Sequence, residues 1–166
     1  HLEELRDIYE QWCQVPTKDR KKVVIPYVSA YGYTGQLAEQ IAKGIQDNDN
    51  IEVKLYDMVT ADQAEVLGEI ALADGILFGT PTILGEALKP IWDLTTMMFP
   101  PVHGGKLASA FGSYGWSGEG VPHILERLKQ IRLKVVDGFR IRLKPSENDL
   151  TDAYEYGYRF ADTLLQ

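Results

Sequence analysis

The 166 residues contain one cysteine, Cys13. No internal disulfide can form, so the core must hold without covalent staples, as in proteins of a reducing, cytoplasmic compartment. In an N-terminal helix, Cys13 reads as a packing residue. Histidine is nearly as scarce. His1, His103 and His123 are scattered, and a metal site needs several converging ligands. His103, ahead of Gly104-Gly105, and His123, in the first turn of a helix, therefore read as ordinary surface positions, and no metal ligand is assigned. No window approaches the roughly 18 apolar residues of a membrane span. Positive charge is outnumbered, with 17 Lys and Arg against 24 Asp and Glu, for a net charge of −7. Such a surface repels nucleic-acid phosphates and anionic membranes, so neither is expected as a partner. There is no internal repeat and no low-complexity tract. The start, HLEELRDIYEQW, is acidic and amphipathic, which excludes a signal or transit peptide. It opens on His1 rather than Met, which suggests a piece excised from a longer chain.

What is present is a strict alternation. Leu2, Leu5, Ile8, Tyr9 and Trp12 recur at helical spacing and predict a helix over 2–13, followed by the polar stretch VPTKDRKK, read as a linker. Residues 1–20 are thus expected as an appendage and 21–166 as one domain with a sizeable core. VVIPYV is a short apolar run, as in a strand buried on both faces, and a helix follows from Thr34. Strand 51–58 leads to helix 60–73 with Thr60 as N-cap. Strand 75–80 leads to helix 86–99, with Pro90 in its first turn and Pro100 and Pro101 ending it. Strand 106–113 leads to helix 118–131, and the half-exposed strand 135–144 to a helix over 148–165 that opens on a Ser146/Asp149 capping box. The expectation is an α/β fold, a three-layer doubly wound sheet of five parallel strands. The most apolar strands belong at its centre, which gives the order 2-1-3-4-5 and places a ligand site at the carboxyl ends of the strands, where the order reverses.

Three loops meet there: SAYGYTGQ (29–36), TPTILGEA (80–87) and SYGWSGEG (113–120). The first offers backbone N–H groups at a helix N-terminus, hydroxyls on Ser29, Tyr31 and Thr34, and Gly32 for close approach. Without Lys or Arg, and matching neither phosphate-loop nor dinucleotide patterns, it suits a single phosphate held by neutral donors; a glycine turn with no ligand is the alternative. In the third loop, Tyr114 and Trp116 sit among four glycines, poorly placed to fill a core and able to stack on a flat aromatic ligand. A Trp tucked beneath its own loop is the alternative there. The second loop adds hydroxyls with Ile83 and Leu84 and no charge. A monophosphate at the first loop and a planar ring between the other two describe flavin mononucleotide (FMN). Glu119 lies near that ring but reads as an exposed loop carboxylate.

From about Lys21 to Gln166 the chain resembles the flavodoxin family, through S-A-Y-G-Y-T-G at 29–35, G-T-P-T at 79–82 and the strand order. More narrowly, G-S-Y-G-W-S-G-E at 112–119, Y-x-S-x-Y-G-Y-T at 27–34 and the leading helix ending in Y-E-Q-W resemble the flavodoxin-like domain of flavodiiron proteins and the helix that joins their two domains. The resemblance implies non-covalent FMN, with phosphate on Ser29, Ala30, Tyr31, Gly32, Tyr33 and Thr34. It places the ring against Pro81, Thr82, Ile83 and Leu84 on one side and Ser113, Tyr114, Gly115, Trp116, Ser117 and Gly118 on the other. It further implies an electron-donating reductase. The acceptor it implies is a diiron metallo-β-lactamase-like domain, met in trans in a head-to-tail homodimer, that reduces oxygen to water or nitric oxide to nitrous oxide. The chain has no H-x-E-x-D-H cluster, so that iron site is expected in a missing upstream domain. The alternative is a stand-alone flavodoxin or a flavin-dependent NAD(P)H-quinone reductase. A phosphoacceptor signalling domain of the same fold needs an Asp cluster at the strand ends, where this chain has Ser29-Ala30 and Thr80-Pro81.

Overall fold

A computed structural model describes residues 3–4, 20–29, 32–48, 50–83, 86–115 and 118–166. Of the expected leading helix, Glu3 and Glu4 are described and are helical; the rest of it, the linker and Cys13 lie outside the described residues.

The strands are β1 (Lys21–Tyr27), β2 (Ile51–Asp57), β3 (Gly75–Gly79), β4 (Thr82–Ile83), β5 (Glu86–Ala87), β6 (Leu107–Tyr114), β7 (Lys134–Val135) and β8 (Phe139–Arg142). The helices are α1 (Tyr33–Gln46), α2 (Gln63–Leu72), α3 (Lys89–Thr96), α4 (Pro100–His103), α5 (Gly120–Gln130) and α6 (Glu147–Leu165). The parallel order β2-β1-β3-β6, with β7 and β8 on the far side of β6, is the expected doubly wound topology. Alternate residues of the central strands feed two layers, because successive side chains of a strand point to opposite faces. On one face Val23, Ile25, Leu77 and Phe111 pack with α1 and α6. On the other Val24, Ile76, Phe78, Ala108 and Ala110 pack with α2, α3 and α5. Each fully buried Ile or Leu here contributes about 1.5–3 kcal/mol by leaving water.

α1 and α6 cross at two glycines. A Cβ on Gly44 would stand 2.0 Å from the Tyr154 carbonyl oxygen, and one on Gly157 2.1 Å from that of Ile41. The helices therefore touch backbone to backbone. α6 opens on the expected capping box: Asp149 N–H donates to Ser146 Oγ at 3.1 Å and Ser146 N–H to Asp149 Oδ2 at 2.9 Å.

Several expectations need correction. Thr60 is not the cap of α2. Asp62 holds that position, and Thr60 closes a turn through its N–H to the Asp57 carbonyl. The expected helix 86–99 begins only at Lys89, since Glu86 and Ala87 pair antiparallel with Ile83 and Thr82. Pro90 does sit in the first turn of α3. α3 ends at Thr96, before the prolines, and Pro100 and Pro101 instead start α4, where a missing N–H costs nothing. The last strand is not continuous. Two residues separate Ala108 from Phe111 on β6, but three separate their partners Val135 and Phe139, so one extra residue interrupts the ladder. The Ser109 hydroxyl reaches the two displaced carbonyls, at 2.8 Å to Val136 O and 2.9 Å to Asp137 O. His103 is not a surface residue: it is 4% exposed, accepts the Phe99 N–H at Nδ1 (3.1 Å) and meets the Phe99 ring edge-on. Burial, chiefly, pushes its pKa below the usual histidine value. His123 is exposed on α5.

Candidate functional site

The carboxyl ends of β1, β3 and β6 are tied in sequence. Val28 N–H donates to Gly79 O at 2.9 Å, Thr80 N–H to Phe111 O at 3.0 Å, and Thr82 pairs with Tyr114. The three loops that the sequence singled out therefore converge.

The first loop ends in the N-terminus of α1. Gly32, its N-cap, has φ +79°, a left-handed conformation that glycine adopts without a Cβ penalty. The first turn of α1 carries no acidic side chain, so nothing there competes with an anion for the helix end. The Gly35 N–H is taken by Ser29 Oγ at 3.0 Å. Thr34 is fully buried, and its Oγ1 meets Ser113 Oγ at 3.3 Å, joining the first loop to the third. Tyr27, beneath this turn, has its phenol pKa raised by burial and by the carboxylates of Asp57 and Glu39, in that order.

Hydroxyls bind the other loops too. Thr82 Oγ1 accepts the Gly120 N–H at 3.0 Å, so the second loop caps α5, and a Cβ on Gly120 would stand 2.6 Å from that oxygen. Thr80 Oγ1 accepts the Leu88 N–H at 3.0 Å. Arg140 Nη1 donates to Gly118 O at 2.8 Å, and Gly118 lies against the Tyr114 ring. Among the described residues, the hydroxyls of Thr34, Ser113 and Thr82 thus hold one loop to another.

Between the loops lies a cleft of about 200 Å³, lined by Tyr33, Pro81, Thr82, Ile83, Ser113, Tyr114, Gly115 and Leu143. Seven of these are sequence-predicted site residues, and none of the eight carries a formal charge. Tyr33, assigned with the phosphate donors, stands in this apolar cleft beside the residues expected to bind the ring. Ser29, Gly32 and Thr34 form the neighbouring helix end, and Gly118 flanks Tyr114. Ala30, Tyr31, Leu84, Trp116 and Ser117 lie outside the described residues. Glu119 is exposed at the N-cap of α5. Leu143 is the wall residue that sequence reasoning misses. In FRIRL it alternates like an inward strand residue, and no sequence signal marks it as part of a ligand wall.

Three other clefts are larger, and two of them border the sheet. One, about 350 Å³, opens at the interruption between β7 and β8 against α6. The other, about 410 Å³, lies around Lys21, Lys106 and Lys134, next to the starts of β1 and β6. There Lys21 Nζ donates to Leu164 O at 2.9 Å and Lys106 Nζ to Ala73 O at 2.5 Å, so these lysines cap helix C-termini. The loop cleft is the one set at the carboxyl ends of the strands, where this architecture binds ligands. An uncharged slot beside an acid-free helix end suits a flat ring carrying one phosphate.

The sequence profile of the family described as Flavodoxin matches residues 25–157. The type A flavoprotein FprA of Rhodobacter capsulatus is 38% identical over 165 residues, 99% of this chain and 38% of that protein. The flavo-diiron protein FprA2 of Clostridium acetobutylicum is 42% identical over 147 residues, 87% of this chain and 36% of that protein. Among solved structures, the flavodiiron core of Flv1 from Synechocystis sp. PCC6803 superposes with a TM-score of 0.79 at 30% identity, over 99% of this chain and 41% of that one. This chain therefore spans under two fifths of the length of these two curated relatives.

Proposed function

The chain belongs to the flavodoxin family, and from that premise we propose that it is the FMN-binding electron-transfer module of a flavodiiron oxidoreductase. The observation that carries the reading is the convergence of three loops on one uncharged cleft beside the N-terminus of α1. The similarity to FprA, FprA2 and the Flv1 core supports the flavodiiron assignment over a stand-alone carrier.

FMN binds without a covalent bond. Its phosphate is held by backbone N–H groups and hydroxyls of Ser29, Ala30, Tyr31, Gly32, Tyr33 and Thr34, where the helix dipole favours an anion. Its ring is held by Pro81, Thr82, Ile83 and Leu84 and by Ser113, Tyr114, Gly115, Trp116, Ser117 and Gly118. When bound, the flavin supplies the electron-transfer chemistry, and the protein binds and tunes it. The Thr34–Ser113, Thr82–Gly120 and Arg140–Gly118 hydrogen bonds hold the described parts of the loops in place before a ligand binds, which lowers the ordering cost of binding there. Pro81, Ile83 and Tyr114 give the cleft an apolar lining.

In this reading residues 1–20 lead in from an upstream diiron domain of metallo-β-lactamase type, and 21–166 form the flavin module. A reductase feeds the module, and the iron domain of a head-to-tail partner takes its electrons in the cytoplasm, to reduce oxygen or nitric oxide. The first test is FMN titration of the flavin-free chain, followed by flavin fluorescence, beside a Trp116→Ala variant. Binding with quenched emission is expected, with weaker binding or restored emission in the variant. Absence of FMN binding by the unaltered chain contradicts the reading.

A further inference from the structure

Among the described residues, Arg132 and Leu143 are the non-glycine residues with positive φ, at 69° and 61°. Such a backbone is costly for a residue with a side chain and calls for a cause. Arg132 has one: it follows the C-terminus of α5, where Ile131 N–H bonds Arg127 O, Arg132 N–H bonds Lys129 O and Leu133 N–H reaches back to Leu128 O. Bonds of this kind satisfy the last carbonyls of a helix.

Leu143 has no such helix. It follows β8, one residue beyond the Arg142–Tyr114 pair, and its N–H donates to Tyr114 O at 2.7 Å. That bond extends the ladder and holds the backbone in place. Glycine or asparagine would adopt this conformation at lower cost. A leucine there is usually repaid by burial, yet Leu143 is 58% exposed. Its side chain instead lines the cleft, with Cδ2 3.9 Å from the position a Gly115 Cβ would take. The protein's own packing thus leaves the strained side chain largely uncovered, on the wall of the ligand site.

We propose that Leu143 is a flavin-contacting residue, a wall of the ring site supplied by the edge strand rather than by the three loops. This rests on the FMN reading. The edge strand then holds the third loop from two sides, through Arg140 on Gly118 and Leu143 beside Gly115, and presents an apolar surface for the bound ring to cover. The left-handed backbone is retained because a leucine side chain is needed at that point.

The proposal separates two properties that a merely structural residue would couple. Leu143→Gly removes both the side chain and the conformational cost. Leu143→Ala removes the side chain and keeps the cost. Leu143→Met keeps an apolar chain of similar size. For the flavin-free proteins, thermal unfolding should show Leu143→Gly at least as stable as the unaltered chain and more stable than Leu143→Ala. FMN titration should show Kd raised about fivefold or more in both the Gly and Ala variants and within about twofold of the original in Leu143→Met. A Kd unchanged in Leu143→Gly overturns the proposal. So does a Gly variant that unfolds at lower temperature than Leu143→Ala, which would make Leu143 a support of the fold. If the unaltered chain fails to bind FMN, the flavin reading falls and the contact with it; binding by the unaltered chain with no effect in the variants removes the contact alone.

Discussion

Tyr156 shows how one buried group sets a limit on the fold. Its phenol donates to Asp137 O at 2.6 Å, and its pKa is pushed up to about 12. Burial is the main cause; the Ser109 hydroxyl pulls it down and the Asp137 carboxylate adds to the rise. The unfolded chain would ionise this phenol near pH 10. A folded-state pKa above the unfolded one means the native state holds the proton more tightly. The associated stability is complete below pH 10 and is lost as pH rises toward 12. Two pH units correspond to about 3 kcal/mol at most. Urea unfolding between pH 9 and 12 should show a steep decline that is much reduced in Tyr156→Phe; equal declines in both would mean that other groups govern the alkaline limit. The same residue-scale chemistry explains what the sequence conceals in the site. The hydroxyls of Thr34, Ser113 and Thr82 make contacts that the sequence does not show, because a hydroxyl in a loop advertises capacity, not partner. The partners, each from a segment at least 38 residues away, exist only after folding. His103 misleads in the same way, because nothing in PPVHGG announces that the turn folds its ring inward.

At the scale of the element, the α1–α6 crossing gives a test with its own control. Gly→Ala in a helix normally stabilises by about 1 kcal/mol. Gly68, in α2, has nothing within 4 Å of the position its Cβ would take, so Gly68→Ala should follow that rule. At Gly44 and Gly157 the new methyl meets the opposing backbone, which cannot rotate away as a side chain would. Each Ala there should destabilise by about 1–3 kcal/mol or more as the helices separate. Chemical unfolding of the three variants decides it, and a neutral Gly157→Ala would show that the helices slide apart freely. Elements of this kind are legible in the sequence where a period is long and clean. The five β–α repeats and the capping box at Ser146 and Asp149 follow from local patterns. The β4–β5 hairpin does not, because Glu86 and Ala87 are good helix formers placed in a strand by pairing with Thr82 and Ile83. The break between β7 and β8 does not either, since it depends on the Ser109 hydroxyl from a neighbouring strand.

Over the whole molecule, electrostatics sets the expected potential of a bound flavin. Reduction adds negative charge to the ring, so the protein stabilises the reduced form only where it supplies cations or donors. The cleft-lining residues are uncharged, and the chain carries a net charge of −7. Arg140 is the cation tied to the third loop, with its Nη1 on the Gly118 carbonyl. The balance favours the oxidised form, so the potential of FMN bound to this chain should lie below that of free FMN. The two causes separate by their response to salt. Repulsion from distant surface carboxylates is screened, since the Debye length falls from about 10 Å at 0.1 M to about 3 Å at 1 M. Poor solvation by the uncharged walls is not. Potentiometric titration of the FMN-loaded chain at both ionic strengths should therefore show a low potential that rises only part of the way toward the free-flavin value in high salt. A potential at or above that of free FMN at low salt would mean that Arg140 and backbone donors outweigh the acidic surface. Full recovery in high salt would assign the whole effect to surface charge and none to the cleft.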